Sequence, residues 1–482
     1  MGTPARWVLP GLALLLLGVG VFIALREGAS TPAVPVAPVP LEISHRTTRI
    51  TEPLAPDGLV DYVAALNTGE PPPPGENAVV ALLGVLGTNA LSGDAQTTLE
   101  RLRAPADVPA EGIFRDRRFE VAAVDELASA DEELVRETAA WLAESEAALD
   151  ALVRASSLPR AWSPVVMDPE TQFICRALDL SGIMPLVDAL ALRAELRRVQ
   201  GQPEAGWLDA RALFAWHELA SQQPGMMARL EGCSAFGQGF EWLKRALEDG
   251  TISPELAREA LLVVQRPWPA DRLAQDIDVY DRLSLLGMYV AQVSVRLGSD
   301  GQMPREHEAY VALNPALQSI NEAFDEVAVL LATPSPSNDA EVLRLAEERM
   351  ARVRDLSAKL QGRGSDFWEL ADSAQRGGQL VGRKVGEVLA STLLAMLPSV
   401  VGICRGARDK ASVVALGLAL HLYDLEHGGL PDHVGLLVPE YVADVPVSAR
   451  TGEPVTYERT PSGCRVRSGE AEIELVRPLP GR

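Results

Sequence analysis

Apolar residues recur at helical spacing along most of the chain, and short breaks rich in glycine or proline separate the periodic runs. The run over residues 340–360 shows the pattern most clearly. Its apolar face consists of Val342, Leu345, Ala346, Val353, Leu356 and Leu360. On the opposite face Glu348 precedes Arg352 by four residues, a spacing at which the two side chains can pair. The pattern predicts helices from about residue 56 to residue 427, and therefore a mainly α fold with an irregular helical body.

One helical hairpin is predicted in detail over residues 192–216, where the motif GQPE separates two periodic runs. Gly201 can end the first helix in a left-handed conformation, and Pro203 suits the first turn of the next helix. Ala205 and Ala212 are small enough to let the two helices approach closely. The hairpin resembles a tetratricopeptide unit, but no second copy follows at a fixed period, so the sequence does not predict a regular solenoid.

The first apolar run, Trp7–Leu25, contains no charged residue. Its length matches the roughly 20 residues of a membrane-spanning helix and exceeds the apolar core of about 7–15 residues in a signal peptide. Arg6 and the terminal amine precede the run, which predicts a single-pass protein with a cytoplasmic N-terminus and a periplasmic body. The alternative is a signal peptide cleaved near residues 28–30. The prolines of Thr31–Pro40 predict an extended spacer or a disordered linker.

A second apolar run, Leu389–Cys404, is shorter and contains Pro398. These features favour a buried core helix over a second membrane span.

The C-terminal region changes from helix to strand. A helix over residues 408–427 is apolar almost all round from Val413 to Tyr423, and HGGLPDH ends it. A short helix over DHVGLLVPEYV and three short strands at PVTYERT, CRVRS and EIELVRP follow. The predicted segments are a transmembrane anchor (1–27), a Pro-rich linker (28–55), an all-helical body (56–404) and an α+β tail (405–482).

The order of the tail, with its helix, its Gly-Pro turn and the segments LLVPEYVADVP and TGEPVTYERT, resembles the globular end of type II secretion pseudopilins. That resemblance implies a pseudopilin-like module in which a helix lies across a small sheet. The pilin methylation motif is missing before the membrane helix, and Ser448–Arg450 stands where an Asp-Pro-aromatic sequence is usual. The chain also ends without the Asp/Gly-rich loop of those subunits. The resemblance therefore implies neither assembly into a pseudopilus nor calcium binding.

The wider chain is similar to uncharacterised membrane-anchored helical proteins of planctomycete bacteria. The matching elements are DYVAALN, the turn in PPPPGENAVVALLGVLG, the hairpin LALRAELRRVQGQPEAGW and the tail. This resemblance implies a layout and a compartment, and no activity.

The sequence offers few candidates for site chemistry. Its formal charge of −22 argues against nucleic acid as a partner, because phosphate binding needs a concentrated positive surface. His421, Asp424 and His427 are weak candidates for metal ligands, since the two imidazoles are about 120° apart around the helix. A histidine that interacts with the terminal carbonyls of the helix is the simpler interpretation. No metal or other cofactor is predicted.

The four cysteines, Cys175, Cys233, Cys404 and Cys464, are far apart and lack the CxxC spacing of zinc or redox centres. Outside the cytoplasm they can form up to two disulfides with three pairings, or they can remain buried thiols. A nucleophile at Cys233 would need a nearby base and a lowered pKa, and the sequence shows neither.

No catalytic motif is present, so the sequence leaves the question of an enzyme open and favours a non-catalytic protein. The leading hypothesis is an extracytoplasmic binding or scaffolding protein with protein partners in the cell envelope. One alternative is an accessory component of a secretion or pilus-like system that docks through its C-terminal module. The other is a hydrolase with no recognisable motif.

Overall fold

The computed structural model describes residues 41–116, 124, 127, 132–169, 172–178, 182–266, 272–296, 313–333, 335–361 and 379–476. These residues are mainly helical, as the apolar periodicity predicts. The predicted span Trp7–Leu25 and the spacer Thr31–Pro40 lie outside the described residues.

The helices, in chain order, are α1 (Tyr62–Leu66), α2 (Ala78–Leu86), α3 (Ala95–Leu102), α4 (Glu132–Glu144), α5 (Glu146–Ser156), α6 (Met184–Val199), α7 (Pro203–Ala220), α8 (Met226–Glu248), α9 (Pro254–Val264), α10 (Arg282–Arg296), α11 (Leu313–Leu331), α12 (Pro336–Gln361), α13 (Gln379–Leu394) and α14 (Leu397–His427). A helical turn, Leu273–Gln275, and a π-helical segment, Asp276–Asp281, lead into α10. The strands are β1 (Val165–Met167), β2 (Ile174–Arg176), β3 (Thr456–Thr460), β4 (Gly463–Ser468) and β5 (Ala471–Val476).

The chain forms two compact units whose segments alternate along the sequence. The first unit comprises Met1–Gly69, Val165–Cys175 and Asp271–Val401, and the second comprises Glu70–Pro164, Arg176–Ala270 and Gly402–Arg482. The sequence instead predicts consecutive segments with boundaries at 55/56 and 404/405, and these boundaries stay predictions.

In the first unit, α11 and α13 pack closely and run antiparallel. Glu322 pairs with Arg383 at 3.0 Å, and Ala316 lies against Gly386. A Cβ at Gly386 would lie 2.2 Å from the Ala316 carbonyl oxygen, so only glycine permits this approach.

The amphipathic helix predicted over 340–360 is α12, and Val342, Leu345, Ala346 and Val353 are buried as expected. The predicted pairing of Glu348 with Arg352 is wrong. Glu348 binds Arg344 on its own helix, and Arg352 reaches Glu387 of α13 at 3.4 Å. Tertiary packing thus supplied Arg352 with a partner that the local spacing did not reveal.

The described part of the predicted linker, from residue 41 onward, packs on α11. Thr47 and Thr48 are fully buried, and the Asn321 side-chain amide donates to the carbonyl oxygens of Arg46 and Thr47 at 3.1 and 2.7 Å. Residues 41–48 therefore contribute to the core of the first unit.

The run Leu389–Cys404 is not one helix. It covers the end of α13 and the start of α14, with a break at Ala395–Met396. Pro398 occupies the second position of α14, where the missing N–H costs no hydrogen bond. The side chains of Leu394, Leu397 and Val400 are buried.

In the second unit, α6 and α7 form the hairpin predicted around GQPE. Gly201 has φ +74° after the end of α6, and Pro203 is the first residue of α7. One close approach between the helices occurs at Gly206, next to Ala205. A Cβ at Gly206 would lie 2.8 Å from the Ala194 carbonyl oxygen and 3.0 Å from the Trp242 ring.

A second hairpin, α8–α9, follows the first and stacks on it. Its loop repeats the same features, with Gly250 at φ +64° and Pro254 opening α9. The Gln238 amide donates to Asp188 at 2.6 Å and the Trp242 indole N–H donates to the Ala194 carbonyl at 2.9 Å, so α8 runs parallel to α6.

The second helices of the two hairpins are also parallel. Arg211 pairs with Glu259 at 2.7 Å, and Glu218 pairs with Arg266, just beyond α9, at 3.3 Å. Both pairs span 48 residues in sequence, which fixes the direction and register of α7 and α9. The four helices thus repeat one hairpin unit in space.

The predicted C-terminal strands are β3, β4 and β5, which pair antiparallel in that order. Alternate residues of β4 and β5 point to the inner face of the sheet and are buried. They are Cys464, Val466, Ile473 and Leu475. They join one hydrophobic cluster with α14 and with α8 and α9. The predicted short helix is a 3₁₀ turn over Val434–Leu437.

Candidate functional site

The stacked hairpins present an outward surface that we call the α7–α9 face. It consists of Leu208, Arg211 and Glu218 on α7, with Glu259, Leu262 and Arg266 on or beside α9. On each helix the residues follow one another at helical spacing, and their side chains are exposed or half-exposed.

Two ion pairs cross the α7–α9 face, and two exposed leucines accompany them. Leu262 is 71 % exposed and Leu208 is 48 % exposed, so each leaves apolar area in water. Exposed ion pairs contribute only about 0–1 kcal/mol to stability, so the pairs do little to hold the helices together.

Behind this face, a buried charge network joins α6 to α7. Arg193 binds Asp209 through two hydrogen bonds, at 3.0 and 2.7 Å, and reaches Asp150 of α5 at 2.9 Å. Arg197 adds a contact to Asp209 at 2.8 Å. The Asp209 side chain is 1 % exposed, so its two arginines replace the water that ionised carboxylates otherwise need.

A second buried network links α6 to the end of α8. Arg198 binds Glu195 through two hydrogen bonds, at 3.0 and 2.7 Å, and also binds Asp249. Arg245 lies 3.6 Å from Glu195. The sequence did not single out these residues. The signal in the sequence was that Arg193 and Glu195 lie within a largely apolar run. In the structure, residues on all sides of α6 are buried.

Cys233 and Cys404 meet in the second unit, with their Sγ atoms 3.6 Å apart. The hydrogen bond with the Cys404 thiol, together with burial, raises the pKa of Cys233. Cys233 is therefore protonated at neutral pH, a state in which it is a poor nucleophile. None of the four cysteines forms a disulfide in this structure, in which Cys464 is also buried and Cys175 is half-buried.

His217 is buried in α7, with its ring edge-on to Phe236 at 5.4 Å between centroids. Burial is the main cause that lowers the pKa of His217 to about 4. A backbone hydrogen bond at Gly232 opposes this shift, and the positive charges of Arg229 and Arg408 contribute to it. The imidazole is therefore neutral at physiological pH and belongs to the packed interior.

The metal-ligand candidates have other partners. His427 Nδ1 lies 3.1 Å from the Tyr423 carbonyl oxygen, and its ring stacks on Tyr423 at 4.1 Å, which confirms the predicted interaction at the helix end. Burial lowers the pKa of His421, which also hydrogen-bonds the backbone at Ile252. Within the described residues, no three His, Cys, Asp or Glu side chains, Asp424 included, are arranged to hold a metal ion.

The solvent side of the C-terminal sheet, which we call the outer sheet face, carries Glu458, Arg465, Arg467, Glu472 and Glu474. Arg467 pairs with Glu472 at 2.7 Å, and Arg465 lies 2.9 Å from Glu472 and 3.4 Å from Glu474. These charges compensate one another across the strands.

A third charge cluster lies in the first unit, at the π-helical segment. Arg282 is fully buried and binds Asp278 at 2.6 Å and Asp325 at 2.7 Å. Arg49 approaches the same two carboxylates at 3.5 and 3.4 Å and has a φ of +66°, which is uncommon for a residue with a side chain. Arg49 lies more than 200 residues before Asp278, Arg282 and Asp325 in the chain, so no local pattern in the sequence reveals the whole cluster.

One helical stretch of the described residues, Gly382–His427, is long and apolar enough to cross a membrane by length and composition. The core helix of a soluble protein passes the same test, and Val413, Leu416 and Leu420 within this stretch are fully buried.

Comparison with protein-family models, with curated proteins and with solved structures finds no match for this chain.

Proposed function

We propose that the chain is a non-catalytic binding or scaffolding protein that acts outside the cytoplasm at the cell envelope. The stack of α6–α7 on α8–α9 is the observation that carries this proposal. Proteins built from stacked helical hairpins bind their partners through surfaces that successive repeats share. The α7–α9 face is such a surface, since each of its two helices comes from a different hairpin.

The interior of the stack supports the same function. Hydrogen bonds from Arg193 to Asp209 and from Arg198 to Asp249 tie α6 to α7 and to the end of α8. A binding face on rigid helices loses little conformational entropy when a partner binds. The resemblance of the first hairpin to a tetratricopeptide unit, a recognition fold, points in the same direction.

The proposed location rests on the sequence. In this proposal Trp7–Leu25 is a single membrane anchor with its N-terminus in the cytoplasm, and the body lies in the periplasm. The similarity to membrane-anchored helical proteins of planctomycete bacteria supports this layout.

A second candidate function is an accessory role in a secretion or pilus-like system. The packing of α14 against a three-stranded antiparallel sheet supports it, because this arrangement resembles the globular end of pseudopilins. In this case the outer sheet face would be the contact surface.

Site-specific photocrosslinking in native membranes separates the two candidates. A photoreactive amino acid replaces Leu262 on the α7–α9 face or Arg467 on the outer sheet face, and Val329 of the first unit, which is 72 % exposed, serves as the control position. The scaffold proposal expects a discrete envelope protein to crosslink from position 262 and not from 467 or 329. Crosslinks to pilin-like subunits from position 467 alone would overturn it in favour of the second candidate.

A further inference from the structure

Two helices of the second unit bring a pair of cysteines into contact. Cys233 lies in α8 and is buried, whereas Cys404 lies in α14 and is half-buried. Their Sγ atoms are 3.6 Å apart, against about 2.05 Å in a disulfide, so a small side-chain rotation would bring them to bonding distance.

The packing around the two thiols holds them opposite each other. Lys410 of α14 binds Glu241 of α8 at 3.2 Å, and its ammonium group lies 5.0 Å from the centre of the Phe240 ring. Cys404 follows Cys233 by 171 residues, and Lys410 follows Glu241 by 169 residues. Because the separation is nearly the same for both contacts, α8 and α14 run parallel in one register. On the other side of α8, a Cβ at Gly232 would lie 3.0 Å from Ala220, which leaves little room for α8 to shift.

We propose that Cys233 and Cys404 form an intramolecular disulfide when the folded chain meets a disulfide oxidant, and that this bond links α8 to α14. The proposal selects one pair among the four cysteines. Cys464 lies among the apolar residues of the inner sheet face, and Cys175 belongs to the first unit.

The oxidation proceeds by two thiol–disulfide exchanges. The Cys404 thiolate attacks a sulfur of a low-molecular-weight disulfide or of a disulfide oxidoreductase, which forms a mixed disulfide and releases one thiol. The Cys233 thiolate then attacks the Cys404 sulfur, forms the protein disulfide and releases the second thiol. The two protein thiols lose two protons and two electrons, and the electrons reduce the oxidant to two thiols.

The exposure of the two residues sets the order of these steps. An oxidant reaches the half-buried Cys404 first, and the buried Cys233 acts as the resolving thiol. In the reduced protein the hydrogen bond with Cys404 and burial raise the pKa of Cys233. The hydrogen bond is lost in the mixed disulfide, but burial still favours the protonated thiol, so the second step should accelerate as the pH rises.

The disulfide would restrict the unfolded chain by closing a long loop, so the oxidised protein should unfold at a higher temperature. If the body is periplasmic, as we propose for the function, the oxidised form is the resident one. The bond itself does not depend on that location, so the test below can succeed where the proposed function fails.

The test uses the full-length protein, purified reduced in detergent and then equilibrated with oxidised glutathione. Free thiols are alkylated, and peptides are identified by mass spectrometry without reduction. The expected result is a linked peptide pair containing Cys233 and Cys404, with Cys175 and Cys464 alkylated and a thermal midpoint several degrees above that of the reduced protein. Cys233→Ser and Cys404→Ser should abolish both effects, whereas Cys464→Ser should preserve the linked pair.

Three results would overturn the proposal. The first is alkylation of all four thiols in the folded protein under conditions that oxidise the urea-unfolded chain. The second is a linked pair with any other combination of cysteines. The third is a stable glutathione adduct on Cys404, which would show that Cys233 cannot reach it.

Discussion

The stacked hairpins and the C-terminal sheet of the second unit both carry arginine–carboxylate pairs, but they bury them very differently. Arg193 and Asp209 lie 2.7 Å apart with side chains 6 % and 1 % exposed. Arg467 and Glu472 are also 2.7 Å apart, with side chains 51 % and 36 % exposed. The distance between charges is the same in both regions, so burial decides what each pair contributes.

The physical reason is the cost of removing a charge from water. In the hairpins, loss of one partner leaves the buried charge with only a more exposed one, Asp150 for Arg193 or Arg197 for Asp209, and breaking a buried pair costs about 3–5 kcal/mol. On the sheet, water solvates whichever charge remains, and the pair is worth about 0–1 kcal/mol. The sheet is therefore held by its apolar inner face, and the hairpins depend on both apolar packing and buried charge.

Removal of residues 405–482 should have the largest effect. The deletion removes most of α14 and the whole sheet. These elements share a hydrophobic cluster with Trp242, Leu243 and Leu247 of α8. We expect the second unit to lose its cooperative urea transition, measured by tryptophan fluorescence. A truncation of residues 477–482 removes no described member of the cluster and should unfold as the full chain does. A helical body that unfolds cooperatively without residues 405–482 would show that the module is separable.

Asp209→Ala should reduce the free energy of unfolding by about 3–5 kcal/mol, because Arg193 and Arg197 then lack their buried counter-charge. Urea denaturation measures the change. The double variant Arg193→Met, Asp209→Leu removes the paired charges together and should recover part of the loss. A loss below about 1 kcal/mol for Asp209→Ala would mean that water reaches this network.

His217 should make the second unit sensitive to acid. Its pKa is about 4 in the folded protein and about 6.5 when unfolded, so protonation favours the unfolded chain between these values. Its contribution is complete above pH 6.5 and falls by about 3 kcal/mol as the pH drops to 4. Urea midpoints between pH 7 and pH 4 should fall less steeply in His217→Gln than in the unmodified protein. Equal slopes for His217→Gln and the unmodified protein would contradict the expectation.

Glu472→Ala should have the smallest effect, a loss below about 1 kcal/mol that shrinks further in 1 M salt. The same urea assay provides the measurement. A loss as large as that of Asp209→Ala would remove the contrast between the two regions.

Local patterns in the sequence predicted the regular elements well. Gly201 and Pro203 indicated the hairpin. The alternation of Cys464 and Val466 with Arg465 and Arg467 indicated a strand with one buried face. Both features depend on neighbours within a few residues. The second hairpin was detectable in the same way, because Gly250 and Pro254 repeat the first loop.

Contacts between distant residues could not be predicted. Arg193 finds Asp150 across 43 residues, and Cys233 finds Cys404 across 171. No periodicity encodes such pairs, and the same arginine in a helix can face water or the interior. The buried networks and the thiol pair therefore became visible only in the fold.

Native-state hydrogen exchange of the full-length protein tests most directly whether the stacked hairpins and the C-terminal module share one core. The amides of Leu243 in α8 and Val466 in β4 belong to the same hydrophobic cluster. We predict that both exchange through the same global opening, with equal free energies and the same dependence on denaturant. An opening of β4 at a clearly lower free energy, while α8 stays protected, would show that the module folds on its own and would contradict the account.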